Sequence, residues 1–395
     1  MILNRNLWIL FSCQLIAVSS TTVTVTLGGI IGSELSTTPA LATLPVSLMI
    51  VGIALTAIPA AMLMKAIGRR RGFTLAALLG AAGAALGTLA LIESSFALFC
   101  AATLLLGVNL GFVQQYRFAA AESVPAQRVG RAISLVLLGS IGGAIVGPAI
   151  ATHGQDWIAA GRYAGCTAAV TALLLASASL LLFLRDVQPH DSGPQQLLPP
   201  RSLRQVISQP LYIVALMGGL VGYSVMNFIM TATPVSMHVI DGHSVEHTAG
   251  VIRSHVIAMY APSLVSGFLI ERLGTRRMMA IGAVIMLATV VVGLRGHQVL
   301  HYWLALVLLG VGWNFLYIGG TTLLTRTYRT NERFKSQAIN DFSIFTMSAT
   351  GSLMAGTVIH YLGWTTLLLL VTAPLFLMLL ALLWVRNQRV AVPVS

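Results

Sequence analysis

Arg185-Asp-Val-Gln-Pro-His-Asp-Ser-Gly-Pro-Gln-Gln-Leu-Leu-Pro-Pro-Arg-Ser-Leu-Arg-Gln-Val-Ile-Ser-Gln209 is the one long polar stretch in a chain of 395 residues, 56% of them hydrophobic and only 9% charged. Its prolines, Pro189, Pro194, Pro199 and Pro200, and its charges of both signs mark a linker, with a short amphipathic helix expected around Leu203 to Ile207. What flanks it is too apolar for a soluble domain, in which about 25% of residues are charged. At about 20 residues per crossing, the segments 1–184 and 210–395 on either side of the linker 185–209 each hold six membrane spans. The expected fold is an all-α membrane protein: twelve transmembrane helices in two pseudo-symmetric six-helix halves.

The spans read as 7–31, 41–64, 73–93, 96–121, 131–152 and 160–184, then 210–239, 248–271, 277–295, 300–325, 338–359 and 363–385. All but four of the 23 Lys and Arg fall in loops and termini that alternate onto one side; the exceptions are Arg162, Arg295, Arg117 and Arg253. That asymmetry puts both termini in the cytoplasm. The net charge of +12 is therefore topological and no sign of a nucleic-acid partner. Cys13, Cys100 and Cys166 stand singly in apolar spans, which argues against a disulfide framework or a zinc site. No signal peptide is expected; the first helix serves as the insertion signal. No nucleophile with a base, phosphate loop or intramembrane carboxylate pair supports an enzyme, and no prosthetic group is expected.

Two sets of residues stand out inside the apolar spans. Met226 and Met230, four apart in the seventh, share one helix face, as do His255 and Met259 in the eighth. If the two helices face each other, three thioethers and an imidazole converge, a set that suits Cu(I). Methionine is also the common filler of irregular cores, so each pair has a plain packing alternative. Met237, His238, His243 and His247 between these helices form a possible outer entrance for the ion. The second set is polar or aromatic: Gln114, Gln115, Tyr116 and Arg117 in the fourth span, Asn227 in the seventh, Trp313 and Tyr317 in the tenth, and Asp341 and Phe342 in the eleventh. Ionisable groups at membrane depth are costly and mark substrate pathways, so these are cavity candidates, with snorkelling to the cytoplasmic face the equal alternative for Arg117. Coupling to protons would have to use His255, Asp341 or Glu122.

The halves echo each other. Leu105-Leu-Gly-Val-Asn in the fourth span matches Leu308-Leu-Gly-Val-Gly in the tenth, and Ile67-Gly-Arg-Arg-Arg matches Leu273-Gly-Thr-Arg-Arg. Parallel repeats around a midplane site describe a secondary transporter. The stretch Gly267-Phe-Leu-Ile-Glu-Arg-Leu-Gly-Thr-Arg-Arg resembles the cytoplasmic loop signature of the major facilitator superfamily, with Glu271, Arg272 and Arg276 in its charged positions. The first-half copy departs from it: Lys65 replaces the acid, ahead of Arg69. Gly139 to Pro148 resembles a glycine-proline motif of the same superfamily, and equally a close-packed run of small residues.

With Met226xxxMet230, His255xxxMet259 and Gln115-Tyr-Arg-Phe, the whole chain resembles CcoA-type copper importers of that superfamily. The resemblance implies a carrier of the bacterial inner membrane that imports copper by alternating access for cytochrome c oxidase assembly, with Met226 and His255 as leading ligands, Met230 and Met259 supporting, and cytoplasmic acceptors taking the metal. The membrane thiols of that family have no counterpart near these helices. Riboflavin importers of the same branch are similar over their full length; for them Tyr116, Trp313, Tyr317 and Phe342 would stack the ring and Gln114, Gln115 and Asn227 would bind its edges. Drug or small-solute efflux is the third expectation. A metal sensor or assembly factor would call for an added soluble domain or long tail, and the chain ends within about ten residues of the last span.

Overall fold

The computed structural model describes residues 5–124, 129–185, 201–329 and 332–386, and regular structure among them is entirely helical. The first half contains α1 (Arg5–Leu35), α2 (Leu44–Ile67), α3 (Arg69–Ile92), α4 (Phe96–Val113) continued by α5 (Tyr116–Glu122), α6 (Val129–His153) and α7 (Ala164–Leu181). The second begins with α8 (Leu203–Ile207) and α9 (Pro210–Pro234), which runs into a π-helical stretch (Val235–Ile240). Then come α10 (Val245–Tyr260) continued by α11 (Ser263–Leu273), α12 (Thr275–Gly293), α13 (Val299–Leu324), α14 (Arg333–Leu370) and α15 (Thr372–Trp384).

These helices make the twelve crossings that hydropathy predicts, with three differences in continuity. The fourth span breaks at Gln114–Gln115. The eighth breaks at Ala261–Pro262, where proline supplies no N–H to continue the ladder. Between the eleventh and twelfth there is no loop but a sharp bend inside α14 at Gly363, whose φ of 77° and ψ of 175° only glycine adopts readily. The short helix expected within the linker does form. Ser202 and Gln205 close a reciprocal capping box, and Val206 is its one buried side chain. The linker prolines lie outside the described residues.

The internal repeat has a physical origin. Gly68 (φ 85°, ψ 157°) joins α2 to α3, and Gly274 (φ 80°, ψ 150°) joins α11 to α12 in nearly the same conformation. Helix pairing repeats as well. α1 packs on α6 as α9 packs on α14; α3 on α4 as α12 on α13; α2 on α4 as α10 on α13. The halves meet where α2 lies against α14 and, by the same symmetry, α10 against α6. The matched glycines of the fourth and tenth spans sit at equivalent crossings. A Cβ on Gly107 would stand 2.0 Å from the Met49 carbonyl oxygen of α2, and one on Gly310 would stand 2.7 Å from the His255 carbonyl oxygen of α10.

The end of the linker is tied down by a carboxylate. Glu332, at the start of α14, accepts from the Arg201 backbone N (2.7 Å), Nε (3.0 Å) and Nη2 (2.7 Å) and from the Arg329 backbone N (2.9 Å). Arg201 Nη2 and Gln209 Nε2 both donate to the Thr327 carbonyl at 2.9 Å. The Glu332 side chain is 3% exposed, and the Arg201 hydrogen bonds lower its pKa from 4.5 to about 2. A depressed carboxylate stabilises fully above its ordinary pKa, and that contribution drains away as pH falls from 4.5 towards 2. Glu332→Gln should therefore cost about 3 kcal/mol at neutral pH, and the melting curves of variant and wild type should converge on acidification. A constant gap across that range would refute the assignment.

Candidate substrate cavity

Between the halves lies a cavity of about 600 Å³, walled by α1, α2, α4, α5 and α6 on one side and α9, α10, α13 and α14 on the other. It is sealed towards the α1–α2 connection. There Ser352 of α14 shares hydrogen bonds with Ser47 of α2 (2.9 Å) and Thr231 of α9 (2.8 Å), so three buried hydroxyls stitch the halves together. In the other direction its wall continues to Tyr328 and Gln337, at the end of the bundle from which α1 starts.

An aromatic cluster forms one side. Trp313 and Tyr317, one turn apart on α13, stack at 5.1 Å with planes 14° apart. Tyr223 of α9 stands edge-on to both, at 5.1 Å each, and to Phe345 of α14 at 5.5 Å; Tyr260 closes on Trp313 at 6.1 Å. The indole Nε1–H of Trp313, buried, has no acceptor among the described residues. Beside this cluster the halves touch through charge: Arg117 Nη1 of α5 donates to the Tyr317 hydroxyl (2.6 Å), and Nη2 reaches Asp341 Oδ2 of α14 (3.4 Å). Arg117 and Asp341 are the only charged groups in the described wall. The remaining polar groups are amides and hydroxyls, among them Gln14, Gln114, Asn227, Thr231 and Asn340. The Asn227 amide also donates to the Ser348 hydroxyl.

Of the residues singled out from sequence, Gln114, Arg117, Asn227, Trp313, Tyr317 and Asp341 share this cavity, and so do Met226, Met230 and Met259. Tyr116 does not: the break at Gln114–Gln115 resets the helical phase, and its ring packs edge-on against Phe73 of α3 at 4.8 Å. Gln115 and Phe342 are also absent from the wall, Phe342 being 46% exposed. His255 is fully buried, but its Nδ1–H donates to the Leu306 carbonyl of α13 at 2.7 Å and its Nε2 has no partner among the described residues. The cavity stripe of α10 and α11 runs Val256, Met259, Tyr260, Ser263, which leaves His255 about a quarter turn to one side, against the α10–α13 crossing. The imidazole thus lies outside the wall that the three thioethers share. Among the described residues no three His, Cys, Asp or Glu side chains group as a metal site.

The residues considered for an outer entrance lie at the sealed end, away from the cavity wall. Met237 is buried. His238 Nδ1–H donates to the His243 carbonyl (2.6 Å), His243 Nε2–H to the His297 carbonyl (2.7 Å), and His247 is exposed at the capped start of α10. In the loop signature, Arg276 Nη1 donates to the Arg386 carbonyl at 2.9 Å and to that of Val385, fastening α12 to the end of α15. Arg272 rests on the Phe268 ring at 4.6 Å, and Arg69 opens α3. The side chains of Lys65 and Glu271 lie outside the described ones. Tyr223, Tyr260 and Phe345 were missed by sequence reading. Tyr223 had a signal, because it lies three residues before Met226 and four before Asn227, on the same helix face.

Twelve crossings in two repeated halves around one sealed-ended cavity, mostly apolar with a few polar groups, define a membrane solute carrier. Residues 9–254 and 243–394 match the Major Facilitator Superfamily, and the chain belongs to it. It is 39% identical over 370 residues to the riboflavin transporter RfnT of Brucella anthropi, covering 92% of this chain and 91% of the relative. It is also 30% and 28% identical to YdeG and YddS of Bacillus subtilis, uncharacterised transporters of the same superfamily. Those matches cover 97% and 92% of this chain, and 92% and 86% of the relatives.

Proposed function

We propose that this chain imports riboflavin or a closely related flavin across the bacterial inner membrane, with its termini and the open end of the cavity in the cytoplasm. The observation that carries this is the make-up of the wall: a cluster of aromatic rings beside neutral amides and hydroxyls, in a volume of about 600 Å³. Sites that enclose ligands of flavin size occupy roughly 300–1,000 Å³ and combine apolar faces with a few polar groups. A bare ion needs little more than a water's share, about 30 Å³. The relative named for riboflavin transport, similar over nine-tenths of both chains, supports the same choice. In the resulting cycle the flavin ring would lie against Trp313, Tyr317 and Tyr223, with amides such as Asn227 and Gln114 at its edges. The hydroxyl contacts around Ser352 would part when the outer side opens.

Copper import is the second reading, favoured by one observation: Met226, Met230 and Met259 all reach this cavity. On that reading His238, His243 and His247 would collect the ion outside and cytoplasmic acceptors would receive it. Uptake of labelled riboflavin and of labelled copper in cells lacking their own importers separates the two. The flavin reading expects riboflavin accumulation above the empty-vector control and copper accumulation indistinguishable from it. Copper uptake that disappears when Met226, Met230 and Met259 are all replaced by Ala, with no riboflavin uptake, would overturn it.

A further inference from the structure

The charges in the wall carry a statement about substrate class that rests on the flavin reading. We propose that the cavity selects the uncharged vitamin over its 5′-phosphate, and that Asp341 sets this preference by placing a carboxylate beside the one cation of the described wall. A phosphate monoester brings about 1.5 to 2 negative charges that need charged or multiple hydrogen-bond partners once out of water. The described wall contains a single cation, Arg117, already donating to the Tyr317 hydroxyl at 2.6 Å and reaching the Asp341 carboxylate at 3.4 Å. A phosphate drawn to Arg117 must approach that carboxylate as well. If instead the phosphorylated tail points towards the sealed end, it meets Asn227, Thr231 and Thr22, all neutral. Neither orientation of the ring on its aromatic bed gives the anion a cation that does not already face a carboxylate. The ribityl hydroxyls of the unphosphorylated compound, in contrast, find donors and acceptors in both directions.

Removing the carboxylate should take away the negative charge that a phosphate meets beside Arg117, which makes the test a gain of binding that a misfolded protein cannot imitate. Quenching of flavin fluorescence on the purified full-length carrier reads both affinities. Wild type should bind the 5′-phosphate at least about tenfold more weakly than riboflavin. In Asp341→Asn that ratio should narrow about tenfold, and adding Arg117→Gln in the same chain should restore it. Thr322→Lys, which adds a cation to the wall without touching the pair, should move the ratio in the same direction and serves if Asp341→Asn does not fold. Equal affinity of wild type for both compounds, or a ratio unmoved by either single variant, overturns the proposal while leaving riboflavin as substrate. Failure of wild type to bind riboflavin at all strikes the flavin reading itself, and this one with it.

Discussion

Trp313→Ala should weaken riboflavin binding about thirtyfold and lower uptake at limiting substrate by a similar factor. Truncating a buried aromatic anchor at the centre of a binding surface typically costs 2 kcal/mol or more. Here three effects add up. The indole is 98% buried where it lines the cavity, so truncation to Ala opens a hollow behind the wall that the ligand rests on. It holds Tyr317 flat against it and Tyr223 and Tyr260 edge-on, so its loss unseats three further rings. Its buried Nε1–H has no acceptor among the described residues, and a flavin carbonyl would supply one where binding shifts the ring. Trp313→Phe separates these contributions: keeping the ring and losing the donor, it should cost only a few-fold. Binding of the purified variants, followed by flavin fluorescence, decides the matter. An alanine variant that binds as wild type does would remove the aromatic cluster from the site and with it the main support for a flavin substrate.

Much of this arrangement is legible in the sequence, for reasons that also show where legibility stops. The spans follow from apolar length, which acts residue by residue along the chain. Gln114, Arg117, Asn227 and Asp341 betray the cavity because lipid would not tolerate them. Tyr223 and Phe345 give no such warning, since an aromatic ring is equally at home in lipid, core or cavity. Spacing misleads where the helix is interrupted or the stripe is narrow. Tyr116 follows a break that rotates it away, and His255 shares a face with Met259 only to within the arc by which the stripe passes it. The methionines illustrate the deeper ambiguity. Their side chains do reach the cavity, but a thioether beside aromatic rings packs against a flavin as readily as it binds a soft metal, so composition alone could not choose between the two cargoes.

Gly107→Ala should destabilise the carrier by about 3 kcal/mol, a large share of a typical folding free energy of 5–15 kcal/mol, whereas Gly250→Ala should stabilise it by about 0.5–1 kcal/mol. Both glycines lie within helices, where alanine is intrinsically preferred, so propensity predicts the same sign for each. Surroundings reverse it at one. Around Gly250 nothing lies within 4 Å of a new methyl group. At Gly107 the methyl would sit 2.0 Å from the Met49 carbonyl oxygen, and the facing Gly52 is also crowded, its own Cβ position 2.5 Å from the Leu104 carbonyl oxygen. Backbone cannot rotate aside as a side chain can, so α2 and α4 would have to separate along their crossing. That shift would reach the cavity, because α2 contributes Met49, Ile50 and Ile53 to its wall, and α4 leads directly into the turn and helix that position Gln114 and Arg117. Thermal unfolding of the two variants in detergent should move in opposite directions from wild type. Gly310→Ala, at the symmetry-related crossing with 2.7 Å of room, should fall below wild type but less far than Gly107→Ala. Equal melting points for Gly107→Ala and Gly250→Ala would mean that the helices do not approach at these glycines, and the repeat shared by the fourth and tenth spans would lose its physical explanation.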